Sequence, residues 1–321
     1  MAIMVSGIQP TGKLHLGNYL GAISSWIKYQ TQYDAYFFIA DYHALTGLHK
    51  NPDALHSFKM ELVLDLLALG VNPHILFFQS DVPEHAELHL LLSMITPLSW
   101  LERVPTYKDK LEHSSLEEIR TYGFLGYPVL QTADILIYQA DVVPVGRDQL
   151  PHLELAREIC RRYQHLYGPS FREPEALLTE QAVLPGLDGQ KMSKSYGNTI
   201  PIMTDPVSLN ILIKTMVTDP KRVRKSDPGT PDICPVYQYH NIFSNPSQTQ
   251  DIASQCRNAE IGCIDCKKIC ASAISEYLAP VQEKRHSLSQ NLVKEQLIES
   301  AKRARTRAKN SLFKIKADMG L

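Results

Sequence analysis

The chain has 321 residues, 44% of them hydrophobic, and its 33 Lys and Arg against 34 Asp and Glu give a formal net charge of −1. That length suits one large domain with a smaller one, and the composition suits a soluble globular protein with a packed core. The balance of charge excludes a molecule that is basic throughout, so any contact with RNA has to come from local patches. Lys221, Arg222, Arg224 and Lys225 form one such patch. Another runs from Lys302 to Lys316 through Arg303, Arg305, Arg307, Lys309 and Lys314, with no acidic residue between. No segment reaches the ~18–20 apolar residues of a membrane helix. The opening Met1-Ala-Ile-Met-Val-Ser-Gly lacks the basic and long apolar regions of a signal peptide. A cytoplasmic protein is expected, with neither membrane nor DNA as partner, and its six cysteines are not expected to build a disulfide framework.

Along the chain, Ala2–Val5 is an apolar run that breaks into the turn-rich Ser6-Gly7-Ile8-Gln9-Pro10-Thr11-Gly12, and helical spacing follows from about His15 to Lys28. This predicts a strand, a glycine-bearing loop and a helix. Ala35–Ala40 reads as a second buried strand. Asn51-Pro52 is an N-cap and first-turn pair for a helix that ends at Gly70, and Ile75–Phe78 reads as a third strand. The stretch from Pro83 to about Ile137 is mainly helical. Asp141–Val145 is another strand, and Leu153, Ala156, Ile159, Cys160, Tyr163 and Tyr167 keep helical spacing up to Gly168-Pro169. The alternation predicts a doubly wound parallel α/β sheet over residues 1–200, with a helical insertion at about 83–137. Past residue 200 the proline-bearing turns at Pro206, Pro220, Pro228 and Pro231 lead into a helical, cysteine-bearing domain, 201–321.

Two stretches of the first region are chemically complementary. Pro10-Thr11-Gly12-Lys13-Leu14-His15-Leu16-Gly17-Asn18 lies at the first strand-to-helix turn. Gly17 lets a ring or phosphate approach the backbone, and a helix N-terminus offers N–H groups to an anion. His15 and Asn18, one helical turn apart, face the same ligand. Lys191-Met192-Ser193-Lys194-Ser195 follows Pro185-Gly186-Leu187-Asp188-Gly189. Two lysines three apart behind a glycine-bearing run suit a mobile loop that closes over a triphosphate and neutralises charge as it develops.

The pair resembles the two hallmark motifs of class I aminoacyl-tRNA synthetases, here His15-Leu16-Gly17-Asn18 and an unaltered Lys-Met-Ser-Lys-Ser. The resemblance implies attack of an amino-acid carboxylate on the α-phosphate of ATP with loss of pyrophosphate. His15 and Asn18 would contact phosphates, Lys191, Lys194 and Ser195 would stabilise the transition state, and Mg²⁺ would sit on the phosphate oxygens. No covalent enzyme intermediate is needed, so positioning and electrostatics carry the catalysis. Tyr127-Pro128-Val129-Leu130-Gln131-Thr132-Ala133-Asp134, Val143–Gln149, His152–Leu155, Ser6–Pro10, Asp41–Ala44 and Lys108–Lys110 extend the likeness over nearly the whole chain, to the tryptophanyl-tRNA synthetase family. That family's pattern makes Asp134 the acceptor for the indole N–H. The chemistry is sound, because indole only donates and an ionised carboxylate only accepts. A buried carboxylate left unpaired would also reject phenylalanine.

The tryptophan-contacting set so implied is Asp134, Gly7, Gln9, His43, Tyr127, Gln131 and Gln149. The ATP-contacting set adds Gln9, Pro10, Thr11, Gly17, Gly146, Arg147, Asp148, Val183, Met192 and Ser193 to the motif residues. Arg147 departs from a glutamate usual in the family, Gln131 from a methionine and Val5 from a phenylalanine. A tyrosyl-tRNA synthetase shares the fold and is the nearest alternative; a nucleotide-sensing or RNA-binding relative that has lost synthesis is another.

Cys234, Cys256, Cys263 and Cys266 have the spacing C-x21-C-x6-C-x2-C, with Cys270 beyond. Four thiolates suit a tetrahedral site, and zinc and a [4Fe–4S] cluster are both compatible with them. A subgroup of bacterial tryptophanyl-tRNA synthetases carries a [4Fe–4S] cluster in its anticodon-binding domain at nearly this spacing, the first gap being one residue shorter here. The resemblance therefore implies such a cluster, with Arg257, Lys267 and Lys268 near the anticodon stem and Cys160 in the core. It also implies a homodimer acting on L-tryptophan, ATP and tRNA(Trp).

Overall fold

The structure, a computed structural model, describes residues 1–105, 107–108, 121–178 and 184–321. In chain order it contains β1 (Ile3–Ile8), a helical stretch made of Leu16–Asn18, a π-helical turn Tyr19–Ile23 and α1 (Ser24–Tyr29), then β2 (Asp34–Ile39), α2 (Asp41–Leu48), α3 (Pro52–Leu69) and β3 (Leu76–Phe78). After these come α4 (Glu84–Ser93), a helical turn Leu98–Leu101, α5 (Tyr122–Leu136), β4 (Val142–Val145), α6 (Leu150–Tyr167) and β5 (Glu175–Leu178). The rest is helical: α7 (Pro206–Thr215), α8 (Pro235–Phe243), α9 (Pro246–Arg257), α10 (Cys263–Ser287) and α11 (Gln290–Asp318).

The strands form one parallel sheet of order β3-β2-β1-β4-β5. Chain order reverses beside β1, which makes the crevice past the carboxyl ends of β1 and β4 the place where this architecture binds ligands. The doubly wound sheet expected from the sequence is therefore present. The cap signals also act as expected: Asn51 accepts the Ala54 N–H at 3.2 Å, and Gly70 ends α3 at φ 112°. β5 is not anticipated from the sequence. Glu175-Ala-Leu-Leu has no β-branched residue, and the segment is a strand because β4 offers it a pairing edge.

The chain groups into two compact units. The first comprises Met1–Gly12, Ala22–Glu180 and Ser289–Leu321; the second comprises Lys13–Gly21 and Gln181–Leu288. The sequence suggests a break near residue 200, with α11 in the second part; the contacts of α11 put it in the first. Val293, Leu297, Ala301, Ala304, Ala308, Leu312 and Ile315 fall on one helical stripe and are buried, the last five within the sheet's own core cluster. Five of the seven basic residues from Lys302 to Lys316 have partners within the first unit. Lys302 pairs with Glu299, Arg303 with Asp34, Arg305 with Glu84 at 2.9 Å and Lys316 with Glu87 at 2.7 Å, while Arg307 donates to the Tyr138 carbonyl at 2.8 Å.

Candidate active site

In the first unit the predicted residues gather at the carboxyl ends of the strands. Gln9, Pro10 and Thr11 follow β1; Asp41 and His43 open α2 after β2; Gly146, Arg147, Asp148 and Gln149 follow β4. Gly7 lies near the end of β1, where an added Cβ would stand 2.4 Å from the Phe38 ring, so only glycine fits. On α5, Tyr127, Gln131 and Asp134 are four and three residues apart and share one helix face. The Tyr127 hydroxyl meets His152 Nε2 at 2.5 Å, and its ring packs edge-on to His43. Gln149 donates to Asp148 at 3.4 Å.

Asp134 is 2% exposed and accepts three hydrogen bonds. His43 Nε2 reaches Oδ2 at 2.7 Å, while Gln79 Nε2 and His85 Nδ1 reach Oδ1 at 2.7 and 2.6 Å. Burial opposes its ionisation, but the hydrogen bonds from His43 and His85 outweigh burial and hold the carboxyl well below the usual carboxylate range. His85 Nε2 in turn contacts the Tyr138 hydroxyl at 2.7 Å, and Gln79 Oε1 accepts the Tyr42 N–H at 3.2 Å. Asp41 ties these pieces together: its carboxylate accepts the Ser80 N–H at 3.0 Å, the Ser80 hydroxyl at 2.5 Å and the Lys59 ammonium.

Gln79, His85 and Tyr138 are not among the residues that the sequence points to. Gln79 had an available signal, as the first residue after a buried strand on the ligand-binding edge of the sheet. His85 and Tyr138 had none, since neither lies in a motif.

In the second unit the two synthetase-like motifs come together. His15 caps the Leu16–Asn18 turn: its Nδ1 accepts the Asn18 N–H at 3.3 Å, and Asn18 Oδ1 accepts the His15 N–H at 3.4 Å. This reciprocal box uses the acceptors of both side chains and leaves them the donors, His15 Nε2–H and the Asn18 amide, which suit phosphate oxygens. Gly17 N–H points at Met192 Sδ at 3.3 Å; a Cβ on Gly17 would lie 3.1 Å from His15 and 3.2 Å from Met192. Ser193 N–H and the Lys191 carbonyl are both held by the Asn198 side chain, at 2.8 and 3.2 Å. Burial, then the charge of Lys194, push the His15 imidazole down to about 4, and burial pushes the Lys194 ammonium down to about 8. Val183 and the side chain of Ser195 lie outside the described residues, as do Asp109 and Lys110.

The second unit also holds the cysteine set. Cys234 precedes α8, Cys256 is near the end of α9, and Cys263 and Cys266 lie in the first turns of α10. Burial and then the charges of Cys234, Cys256 and Cys263 push the Cys266 thiol up to about 12. Burial raises Cys256 as well, against a lowering by Arg222. Arg222 is buried and donates to Cys256 Sγ at 3.4 Å and to the carbonyls of Lys225 and Ile261 at 3.0 and 2.6 Å, with its Nε left without a partner. A Cβ on Gly229 would stand 2.5 Å from Cys256 Sγ. Four soft donors, a buried guanidinium and a backbone without a side chain beside the sulfur fit a metal-bound thiolate set by their chemistry. Among the described residues, however, no three His, Cys, Asp or Glu are grouped as ligands of a metal ion. Cys270 and Cys160 are buried, Cys160 within the first unit's core cluster.

The family profile described as tRNA synthetases class I (W and Y) matches residues 1–279. The tryptophan–tRNA ligase of Thermotoga maritima is 44% identical over 324 residues that cover 99% of both chains, and that of Aquifex aeolicus is 40% identical with the same coverage. Among solved structures, tryptophanyl-tRNA synthetase from Campylobacter jejuni, complexed with ADP and tryptophan, superposes with a TM-score of 0.91 at 34% identity over the whole of both chains. The chain belongs to the class I tRNA synthetases of the tryptophan and tyrosine group and, within them, to the tryptophanyl-tRNA synthetase family.

Proposed function

We propose that this enzyme activates L-tryptophan with ATP, releasing pyrophosphate, and transfers the tryptophanyl group to the 3′ end of tRNA(Trp). One observation carries the choice of amino acid: a buried, ionised Asp134 on the same helix face as Tyr127 and Gln131. An indole supplies one donor and no acceptor, which is what a carboxylate with a spare lone pair needs. A phenolic hydroxyl brings an acceptor as well as a donor. Full-length relatives of this chain carry the name tryptophan–tRNA ligase, which supports the same reading.

In the first step the tryptophan carboxylate oxygen bonds to the α-phosphorus as the bridging oxygen to the β-phosphorus departs with pyrophosphate. No proton needs to move in that step, so the protein's contribution is alignment and charge stabilisation. Neutral His15 donates from Nε2 and Asn18 from its amide to phosphate oxygens. Lys191 and Lys194 stabilise the charge that passes to the leaving group, and Mg²⁺ accompanies the triphosphate. Gly146 and Asp148 contact ATP, and Gln149 contacts the amino acid. We further propose that Cys234, Cys256, Cys263 and Cys266 hold a [4Fe–4S] cluster, with structural zinc as the alternative, in a helical anticodon-binding region, and that the protein works as a cytoplasmic homodimer.

The deciding experiment is ATP–pyrophosphate exchange dependent on tryptophan, tyrosine or phenylalanine, with wild type and Asp134→Ala. Exchange with tryptophan alone, lost in the variant, is the expected result. Exchange with tyrosine overturns the substrate, and exchange with none of the three overturns the activity.

A further inference from the structure

We infer that His85 is a positioning residue for tryptophan recognition: together with Gln79 and Tyr138 it fixes the Asp134 carboxylate so that one acceptor, on Oδ2, is left for the indole N–H. The inference rests on tryptophan being the substrate and names what sets the specificity of that pocket.

The argument is a count of donors and acceptors. An ionised carboxylate has about four lone-pair sites, two on each oxygen. Oδ1 takes the Gln79 amide at 2.7 Å and His85 Nδ1 at 2.6 Å and is filled; Oδ2 takes His43 at 2.7 Å and keeps one site. The filling of Oδ1 requires the proton of His85 on Nδ1, and the ionised carboxylate, which only accepts, imposes that tautomer at 2.6 Å. The Tyr138 hydroxyl is buried, and burial, then the charge of Asp134, raise it well above the ordinary phenol value, so it keeps its proton. With Nδ1 carrying the ring proton, the hydroxyl donates to His85 Nε2 at 2.7 Å and anchors the far side of the ring. The Gln79 amide is oriented in the same way, because its oxygen is already taken by the Tyr42 N–H. The His85 ring is fully buried among Phe38, Phe77 and Tyr138 and cannot swing to another partner. Without His85, Oδ1 would have an open site of its own and the carboxylate could turn. The indole would then meet an acceptor that is neither fixed in direction nor singular.

The test compares tryptophan with its benzothiophene analogue, in which sulfur replaces the N–H at nearly constant shape. The readout is the ratio of their kcat/KM values in ATP–pyrophosphate exchange. His85→Leu should lower that ratio by about 10-fold or more, through KM for tryptophan, and leave the analogue nearly untouched. His85→Asn, whose amide N–H stands where Nδ1–H stood, should restore most of the preference. Tyr138→Phe keeps the ring and removes the hydroxyl that anchors His85 Nε2, so it should lower the ratio with the fold intact. A loss shared equally by both amino acids, or an unchanged ratio in His85→Leu and Tyr138→Phe, overturns the role of His85. A wild type that exchanges with neither amino acid overturns the substrate reading itself, and that result is distinct from the other two.

Discussion

His15 and Asn18 satisfy each other across one turn of helix: the imidazole Nδ1 takes the Asn18 N–H at 3.3 Å, and the Asn18 carbonyl oxygen takes the His15 N–H at 3.4 Å. The ring is therefore held neutral with its proton on Nε2, and burial with nearby Lys194 lowers its pKa from 6.5 to about 4. In the unfolded chain the same ring protonates near 6.5, so acid favours unfolding. Stability from this group is complete above pH 7 and falls as pH drops from 6.5 toward 4, by up to about 3 kcal/mol at 1.36 kcal/mol per unit. His15→Asn keeps a cap without a titrating ring. Denaturant unfolding at pH 7 and pH 4.5 should show wild type losing ground to that variant at the lower pH.

Lys194 titrates in the opposite range. Burial brings its ammonium down to about 8, so the free enzyme loses a cation as pH rises through that value. The kcat/KM for ATP in pyrophosphate exchange should decline above about pH 8. The kcat profile should stay level to higher pH, because bound phosphate favours the charged form. Lys194→Arg, with a cation that does not titrate, should lose the alkaline decline even where its rate is lower.

Asp134→Asn tests charge at constant shape. An amide in that place directs two of its own hydrogens at donors from His43, or from Gln79 and His85, and cannot satisfy them all. The kcat/KM for tryptophan should fall by about 100-fold or more, the scale of a buried polar group left unpaired against its ligand. Phenylalanine should gain relative to tryptophan. Exchange kinetics with both amino acids read the change.

The cysteines predict a composition. Protein purified without oxygen should contain iron and acid-labile sulfide in comparable amounts, and Cys256→Ser should lose both. Stoichiometric zinc with no sulfide would replace the cluster by the simpler site.

The basic helix predicts stability rather than RNA affinity. Glu84 is 6% exposed, one of its carboxylate oxygens already lacks a partner, and Arg305 is the partner of the other at 2.9 Å. Arg305→Ala should cost about 1–3 kcal/mol, the penalty for stranding a buried acceptor. The denaturant midpoint should drop while affinity for tRNA(Trp) is unchanged.

How far the sequence reached depended on whether the partners of a residue were local. His15 and Asn18 lie within one turn, and Lys191 to Ser195 are contiguous, so their chemistry is visible in the sequence. So is the helix face that carries Tyr127, Gln131 and Asp134, through its 3.6-residue period. His85 and Gln79 stand 49 and 55 residues from Asp134 in the chain, and only the sheet brings them to it. Strand β5 escaped for the same reason, since its state is decided by the edge of β4. The partners of the charge run of α11 were hidden as well, because composition cannot show that Arg303, Arg305 and Lys316 meet Asp34, Glu84 and Glu87.

The last helix carries a consequence for how the protein comes into being. A ribosome makes Met1–Gly12 and Ala22–Glu180 early, yet the stripe from Ala301 to Ile315 that completes their core is made at the end. Between the two, the 108 residues from Gln181 to Leu288 emerge and can pack among themselves. The parallel sheet thus waits through a third of its own translation with one flank open. Phe77 of β3 and Leu88 and Leu92 of α4, which share a core cluster with that stripe, are the surfaces a chaperone would find uncovered during that interval.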